Sequence, residues 1–267
     1  MMNQIHPSAV IDSKAQLGKG VEIGPFCYVG PEVVLGDGVR LISHVTIAGR
    51  TEVGALTTFY PFASIGHCPQ DLKYKGEPSQ LILGKNNTIR EYVTLQPGTE
   101  GGGMITKIGN NNLFMASVHV AHDCQVGNNV IMANCATLGG HVFVEDHAFI
   151  GGLSAVHQFV RIGAHAIIGG MSGVEHDVIP YGHVKGERAH LAGLNLVGLK
   201  RRGFSSSTIQ ELRNAYADLF DISGAPLADR VNEVAKNYAQ NDDVMQLIGF
   251  IKQDSRRSLC LPQSIMS

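Results

Sequence analysis

The sequence predicts an all-β solenoid followed by a small α-helical domain, and three observations carry that reading. Aliphatic residues recur every six positions over most of the chain. Glycine is abundant, at 32 of 267 residues, without the G-X-Y period of a collagen helix, so it serves turns. Beyond residue 190 the apolar period changes from six to that of amphipathic helices.

The repeat is strict. Ile11, Leu17, Ile23, Val29, Leu35, Leu41, Ile47, Val53, Phe59 and Ile65 stand six apart without a miss. Two residues before these ladder positions sit small or β-branched side chains: Ala15, Val21, Cys27, Val33, Val39, Val45, Thr51, Thr57 and Ala63. Neither a 3.6-residue helical period nor plain alternation yields a strict six, but a short strand with two inward side chains and a tight corner does. Each hexad is therefore one face of a coil, and stacked coils share a core that no single repeat could close alone. Glycine often follows the ladder residue, as at Gly18, Gly24, Gly30, Gly36, Gly54 and Gly66. There it is expected to take positive φ at the corner and to let successive coils stack closely.

The pattern resumes at Leu83, Ile89 and Leu95, then runs from Ile108 through Phe114, Val120, Val126, Met132, Leu138, Val144, Ile150, Val156, Ile162 and Ile168 to Val174. Between Ile65 and Leu83 the phase survives, but Asp71 and Glu77 fall on ladder positions. Carboxylates cannot line an apolar prism, so a loop near 67–80 is expected. The thirteen-residue step from Leu95 to Ile108 shifts the phase by one and contains Gly101, Gly102 and Gly103, which predicts a second loop near 97–106. Loops on a rigid scaffold are where function concentrates.

The solenoid is expected over residues 1–190 and the helical domain over 191–267, with Pro180 to Leu191 as the transition. Ile209, Leu212, Tyr216, Leu219 and Phe220 form one helical face, with Ser205 or Ser206 as its N-cap. Leu227, Val231, Val234 and Tyr238 form a second, and Val244, Leu247, Ile248 and Ile251 a third.

Composition narrows the partners. A net charge of −2 gives no electrostatic reason to expect nucleic acid. Five cysteines, Cys27, Cys68, Cys124, Cys135 and Cys260, contain no CxxC pair and suit reduced thiols in a cytoplasmic protein. No signal-like N-terminus and no run of eighteen apolar residues occurs, so no transmembrane segment is expected.

Histidine is the informative residue type for chemistry. Of twelve, His119, His122, His141, His147, His157 and His165 fall within the second run of hexads. Residues eighteen apart stack on adjacent coils, so His122 and His141, nineteen apart, should lie close but out of strict register. His147 and His165 read as surface histidines at polar repeat sites. His122 differs through its neighbour Asp123: a carboxylate on one imidazole nitrogen fixes the tautomer and leaves the other as a base. Neighbours on a strand point apart, so this pairing requires the corner of a coil.

Four segments go further: His-Val-Ala-His-Asp-Cys at 119–124, Gln70 through Pro78, Ala155 through Phe159, and Gly198 through Phe204. Together they closely resemble the UDP-N-acetylglucosamine O-acyltransferases of lipid A biosynthesis, over nearly the whole chain. The resemblance implies three hexads per coil, a triangular prism and left-handed winding, an exception to the right-handed crossover rule. It implies an acyl carrier protein bearing a 3-hydroxyacyl chain as donor, UDP-N-acetylglucosamine as acceptor, no cofactor and no metal. It also implies a homotrimer with sites between subunits.

Residue by residue, the resemblance makes His122 the catalytic base, Asp123 its orienting partner and Gly140 the amide that stabilises the oxyanion. It assigns Asp71 and Lys73 to sugar and acyl contacts, and His119, His141, His157 and Gln158 to the cleft lining. Asn195, Arg201 and Arg202 become nucleotide and diphosphate contacts, where guanidinium suits phosphate. Gly170 and Met171 become the acyl-chain pocket.

Gln96 and Pro97 stand where many members have His-Arg, and Val197 where a glutamate is common. These departures leave a 3-amino sugar as the alternative acceptor. Two other readings compete. A γ-carbonic-anhydrase-type zinc hydratase would use three histidines around a metal. A non-catalytic solenoid would bind a partner along its faces, although outward strand residues offer no threonine or aromatic ladder.

Overall fold

A computed structural model describes residues 2–221 and 225–263. Most hexads form a two-residue strand and a turn. Glu22–Ile23, Tyr28–Val29 and Val34–Leu35 belong to three different sheets, and the chain then returns to the first at Arg40–Leu41. Glu22 pairs with Arg40 and Ile23 with Leu41, so one coil is three hexads. Face one runs from Gln4–Ile5 to Ile167–Ile168, face two from Val10–Ile11 to Gly173–Val174, and face three from Gln16–Leu17 to Arg161–Ile162. We call the corner from face one to face two the first edge, from two to three the second, and from three back to one the third.

Ladder residues such as Ile23, Val29, Leu35, Phe59 and Ile150 are buried along the prism axis, with Val21, Val33 and Val39 beside them. Two inward positions hold asparagine. Asn87 Nδ2 donates to the carbonyls of Gly84 and Gly109, both at 2.9 Å, and Asn112 Nδ2 donates to Gly127 O at 3.0 Å. Their polar atoms are thereby satisfied inside the core.

The corners correct one expectation. Positive φ falls three residues after the ladder residue, and mostly on non-glycines: Phe26 at 57°, His44 at 53°, Asp123 and His141 at 62°, Phe159 at 67°. Each such residue costs on the order of 1 kcal/mol, offset by the regular hydrogen bonds between coils. Most of the glycines after the ladder residue are needed for stacking instead. A Cβ on Gly24 would lie 1.8 Å from the Ile42 carbonyl oxygen, and one on Gly54 would lie 2.5 Å from the Gly84 carbonyl carbon.

The prism closes with an antiparallel hairpin, Gly182–Lys185 and His190–Leu194, added to face one. Its second strand crosses the expected 190/191 border. Helices α1 (Leu196–Arg201), α2 (Ser206–Leu219), α3 (Leu227–Asn237) and α4 (Asp242–Lys252) follow. Ser205 caps α2 by accepting from Thr208 N at 3.0 Å, and Asn241 caps α4 by accepting from Val244 N at 2.9 Å. Ile209, Leu212, Val231, Val234, Leu247 and Ile248 are buried, as the helical period requires. Arg161 fastens the helices to the prism: its Nε donates to the buried Asp177 at 2.7 Å, its Nη1 to Gln253 at 2.8 Å, and its ring-stacking partner is Phe250. Among the described residues, no helix is long and apolar enough to cross a membrane.

Candidate active site

Both interruptions of the repeat leave from the second edge. Residues 66–79 lie between Ser64–Ile65 and Gln80–Leu83, and residues 96–104 between Thr94–Leu95 and Ile105–Ile108. The next three coils put His122-Asp123, Gly140-His141 and Gln158-Phe159 on the same edge, because each pair follows a face-two strand. The loops and the histidines are thus gathered by topology alone.

At positive φ, Asp123 folds its carboxylate back onto its neighbour, and His122 Nδ1 lies 2.7 Å from Asp123 Oδ2. The Asp123 side chain is fully buried. Thr99, in the second loop, donates its amide to Oδ1 at 2.8 Å and its hydroxyl to Oδ2 at 2.6 Å, while Asp123 N donates to Thr106 Oγ1 at 2.7 Å. With Nδ1 facing the carboxylate, the lone pair of His122 sits on Nε2, and Asp71 Oδ2 from the first loop faces that atom at 4.0 Å. Gln96 Oε1 accepts from Gln70 N at 3.1 Å, tying the two loops together. Gly140 backs the imidazole so closely that a Cβ there would lie 2.5 Å from His122 Cε1. Its amide N–H donates to no group among the described residues.

His119 Nδ1 meets Thr94 Oγ1 at 2.6 Å, and burial, then the nearby His122, holds its pKa below the ordinary histidine value. His141 stands edge-on to His122 at 5.1 Å and stacks on Phe159 at 4.4 Å; burial lowers its pKa as well. Lys73 is exposed, its amide turned to Asp71 Oδ1 at 2.9 Å. The neighbouring Cys124 is no nucleophile: burial pushes its thiol up to about 12, and it donates to Gly139 O at 3.1 Å. His157 and Gln158 are exposed, and a segment after α4 reaches them. Arg257 Nε donates to Gln158 O at 2.9 Å and its Nη2 contacts His157 Nδ1, while the Arg256 guanidinium lies 4.6 Å over the Phe159 ring.

The remaining candidates lie on other edges of the same chain. Gly170 and Met171 are on the first edge, where a Cβ on Gly170 would meet only Gly152 within 4 Å, at 3.3 Å from its oxygen, and Met171 is exposed. Phe26, His44, Phe62 and Tyr92 stack along this edge with centroids 4.9, 5.0 and 5.1 Å apart. An aromatic ladder therefore exists, at turn positions and not at the strand positions where none was expected. Asn195, Arg201 and Arg202 border the third edge. Asn195 uses both ends of its amide inside the chain, accepting from Gly198 N at 3.0 Å and donating to His165 O at 2.9 Å. Arg202 Nη2 donates to His147 O at 2.7 Å, and Arg201 is exposed. His165 is not a plain surface histidine: it stacks between His147, at 4.7 Å, and Tyr181, at 5.6 Å, and burial lowers it to about 4.

One trio among the described residues could hold a metal, His122, Asp123 and His141, with ligand atoms within 4.8 Å of one another. Asp123 is poorly suited to it, since both carboxylate oxygens already accept hydrogen bonds from Thr99 and one is taken again by His122. Sequence reasoning passed over Thr99, Phe159, Arg256 and Arg257. Pairing of Leu95 with Val120 brings Thr99 beside Asp123, but the phase shift between them hides it.

Residues 177–260 match the family described as UDP N-acetylglucosamine O-acyltransferase, domain 2, and residues 105–140 match the bacterial transferase hexapeptide family, six repeats. An acyl-[acyl-carrier-protein]–UDP-N-acetylglucosamine O-acyltransferase of Thermodesulfovibrio yellowstonii is 53% identical over 97% of this chain and 100% of its own length. One from Rickettsia canadensis is 55% identical over 97% of each. A crystal structure of a UDP-N-acetylglucosamine acyltransferase superposes with a TM-score of 0.93 at 44% identity, covering 97% of this chain and 99% of that one. The Francisella novicida UDP-N-acetylglucosamine acyltransferase gives 0.93 at 34% identity over 99% and 96%. The prism is accordingly a left-handed parallel β-helix, and the chain belongs to the UDP-N-acetylglucosamine O-acyltransferase family.

Proposed function

We propose that this chain transfers a 3-hydroxyacyl group from acyl carrier protein to the 3-hydroxyl of UDP-N-acetylglucosamine, the first step of lipid A biosynthesis, in the cytoplasm. The relatives' names support the reaction class. The observation that carries the chemistry is the His122 ring, held by Asp123 at Nδ1, open at Nε2, and backed by the free amide of Gly140.

His122 Nε2 takes the proton of the sugar hydroxyl as that oxygen bonds to the thioester carbonyl carbon. The carbonyl oxygen becomes an oxyanion, and the Gly140 N–H donates to it. When the intermediate collapses, the C–S bond breaks and the thiolate leaves with the proton from His122. Asp123 keeps the ring in the required tautomer, and Asp71 faces the reacting nitrogen from the first loop. Asp71 and Lys73 contact the sugar, and His119, His141, His157 and Gln158 line the cleft. The acyl chain has a path along face two, where the outward residues in register shrink from His119 through Thr137 and Ala155 to Gly173. Gly170 and Met171 flank its far end.

The working unit is a homotrimer with the site between copies. On one chain, Arg201, Arg202 and Asn195 border the third edge and His122 the second, with face three between them. A neighbouring copy can bring its third edge to the second edge of the first, and the stacked rings of the first edge then pack about the threefold axis. Arg202 would meet the diphosphate there; Asn195, with both amide ends engaged, holds α1 in place. In this reading residues 1–190 form the scaffold and 191–267 the cap.

The zinc-hydratase alternative requires three converging imidazoles, whereas His119 is turned to Thr94. The test is mass spectrometry of the products formed from UDP-N-acetylglucosamine and from its 3-amino analogue with a panel of 3-hydroxyacyl carrier proteins. An O-acylated sugar nucleotide is expected, with turnover reduced about a thousandfold in His122→Ala. Preference for the amine would move the reaction to amide formation, and full activity in His122→Ala would remove the base from this mechanism.

A further inference from the structure

We infer that Arg256 and Arg257 bind the phosphodiester of the donor's phosphopantetheine arm; this rests on the acyl-transfer reading above. Other arginines are neutralised by carboxylates: Arg40 by Glu22, Arg50 by Glu32, Arg90 by Glu91, Arg161 by Asp177 and Arg188 by Glu175. Arg256 and Arg257 meet no carboxylate among the described residues. They are nevertheless held in place. The Arg256 guanidinium lies over the Phe159 ring, and Arg257 is anchored through Nε to Gln158 O at 2.9 Å and through Nη2 to His157. Two fixed, unneutralised guanidiniums at one corner suit an anion with several oxygens.

Their position points to the donor. Along the second edge, His122, His141, Phe159 and Arg256 follow one another in steps of 5.1, 4.4 and 4.6 Å. A pantetheine arm has about thirteen bonds between phosphorus and sulfur, a reach of about 15 Å when extended. A phosphate on Arg256 therefore sets the thioester sulfur at His122. The surface of Phe159 and His141 that remains open would lie beside the arm.

The UDP-sugar also carries phosphate, so the test separates the two sources. One acyl group is presented on carrier protein, on phosphopantetheine and on pantetheine without phosphate, to the wild type and to Arg256→Ala/Arg257→Ala, with folding followed by thermal melts. The wild type should favour phosphopantetheine over pantetheine about tenfold in kcat/KM. The double variant should lose that preference, raise KM for carrier protein and leave KM for the UDP-sugar unchanged. Lysine replacements, which keep the charge but lose the fork, should restore part of it. A wild type that turns over both arms equally, a variant that keeps the preference, or a rise confined to the UDP-sugar KM would each overturn the assignment. Absence of any turnover in the wild type would instead count against acyl transfer itself.

Discussion

The second and third edges are made by the same turn, with positive φ at the same step, and they have opposite characters. On the third, the amides of three successive turns are capped from the neighbouring coil: Lys85 N by Asn110 Oδ1 at 2.9 Å, Asn110 N by Asn128 Oδ1 at 2.9 Å, and Asn128 N by Asp146 Oδ1 at 2.7 Å. On the second, the equivalent amide of Gly140 has no acceptor among the described residues, and the residues at positive φ are Asp123, His141 and Phe159. One corner satisfies its polar groups internally and gains stability. The other leaves one of them open beside the His122 ring. In a repeat fold, function therefore arises from side-chain substitutions at an unchanged backbone position.

The comparison breaks if an added methyl at Gly140 acts like an ordinary core change. Gly140→Ala should lower kcat on the order of 100-fold, by displacing the His122 ring and the amide proposed as the oxyanion donor, with little change in melting temperature. Thr99→Val tests how far the second edge depends on its loop. It should lower kcat about tenfold at constant KM, with Thr99→Ser restoring most of it, because the hydroxyl holds Asp123 and touches no substrate. An equal loss in Thr99→Ser would make the effect one of packing.

On the third edge the expected change is in stability alone. Asn128→Ala leaves Asn110 N without its acceptor and should cost about 1 kcal/mol in chemical denaturation, with kcat unchanged. The smallest effect concerns His165, which burial lowers to about 4. Between the ordinary value of about 6.5 and that pKa, the unfolded chain binds a proton that the folded chain refuses. Stability is thus complete above the window and falls as pH drops through it. His165→Phe keeps the stack on Tyr181 and should show a smaller drop in melting temperature between about pH 7 and about pH 5; an identical drop would place the acid sensitivity elsewhere.

The scaffold was legible because every ladder residue meets the same surroundings, so a single period reports them all. The loops were legible as failures of that period, at Asp71 and Glu77 and in the step from Leu95 to Ile108. The His122-Asp123 pair could be proposed from adjacency, but its geometry depends on positive φ at Asp123, a conformation uncommon for any non-glycine residue and set here by the turn of the coil. Thr99 stayed hidden because partnership across a phase shift has no fixed spacing. Arg256 and Arg257 stayed hidden because they return to the edge only after the helical domain has turned the chain around. The hairpin at 182–194 and the six-residue α1 are too short for either period to register.

The shrinking outward row on face two has a consequence for selectivity. Strands in a sheet are about 4.8 Å apart, which corresponds to about four methylenes of an extended hydrocarbon. On the acyl path proposed above, a rail marked at such intervals would measure chain length in whole rungs. Substitutions at Thr137, Ala155 or Gly173 would change the accepted donors by jumps of several carbons, and gradations finer than one rung would have to come from residues at its margins, such as Met171.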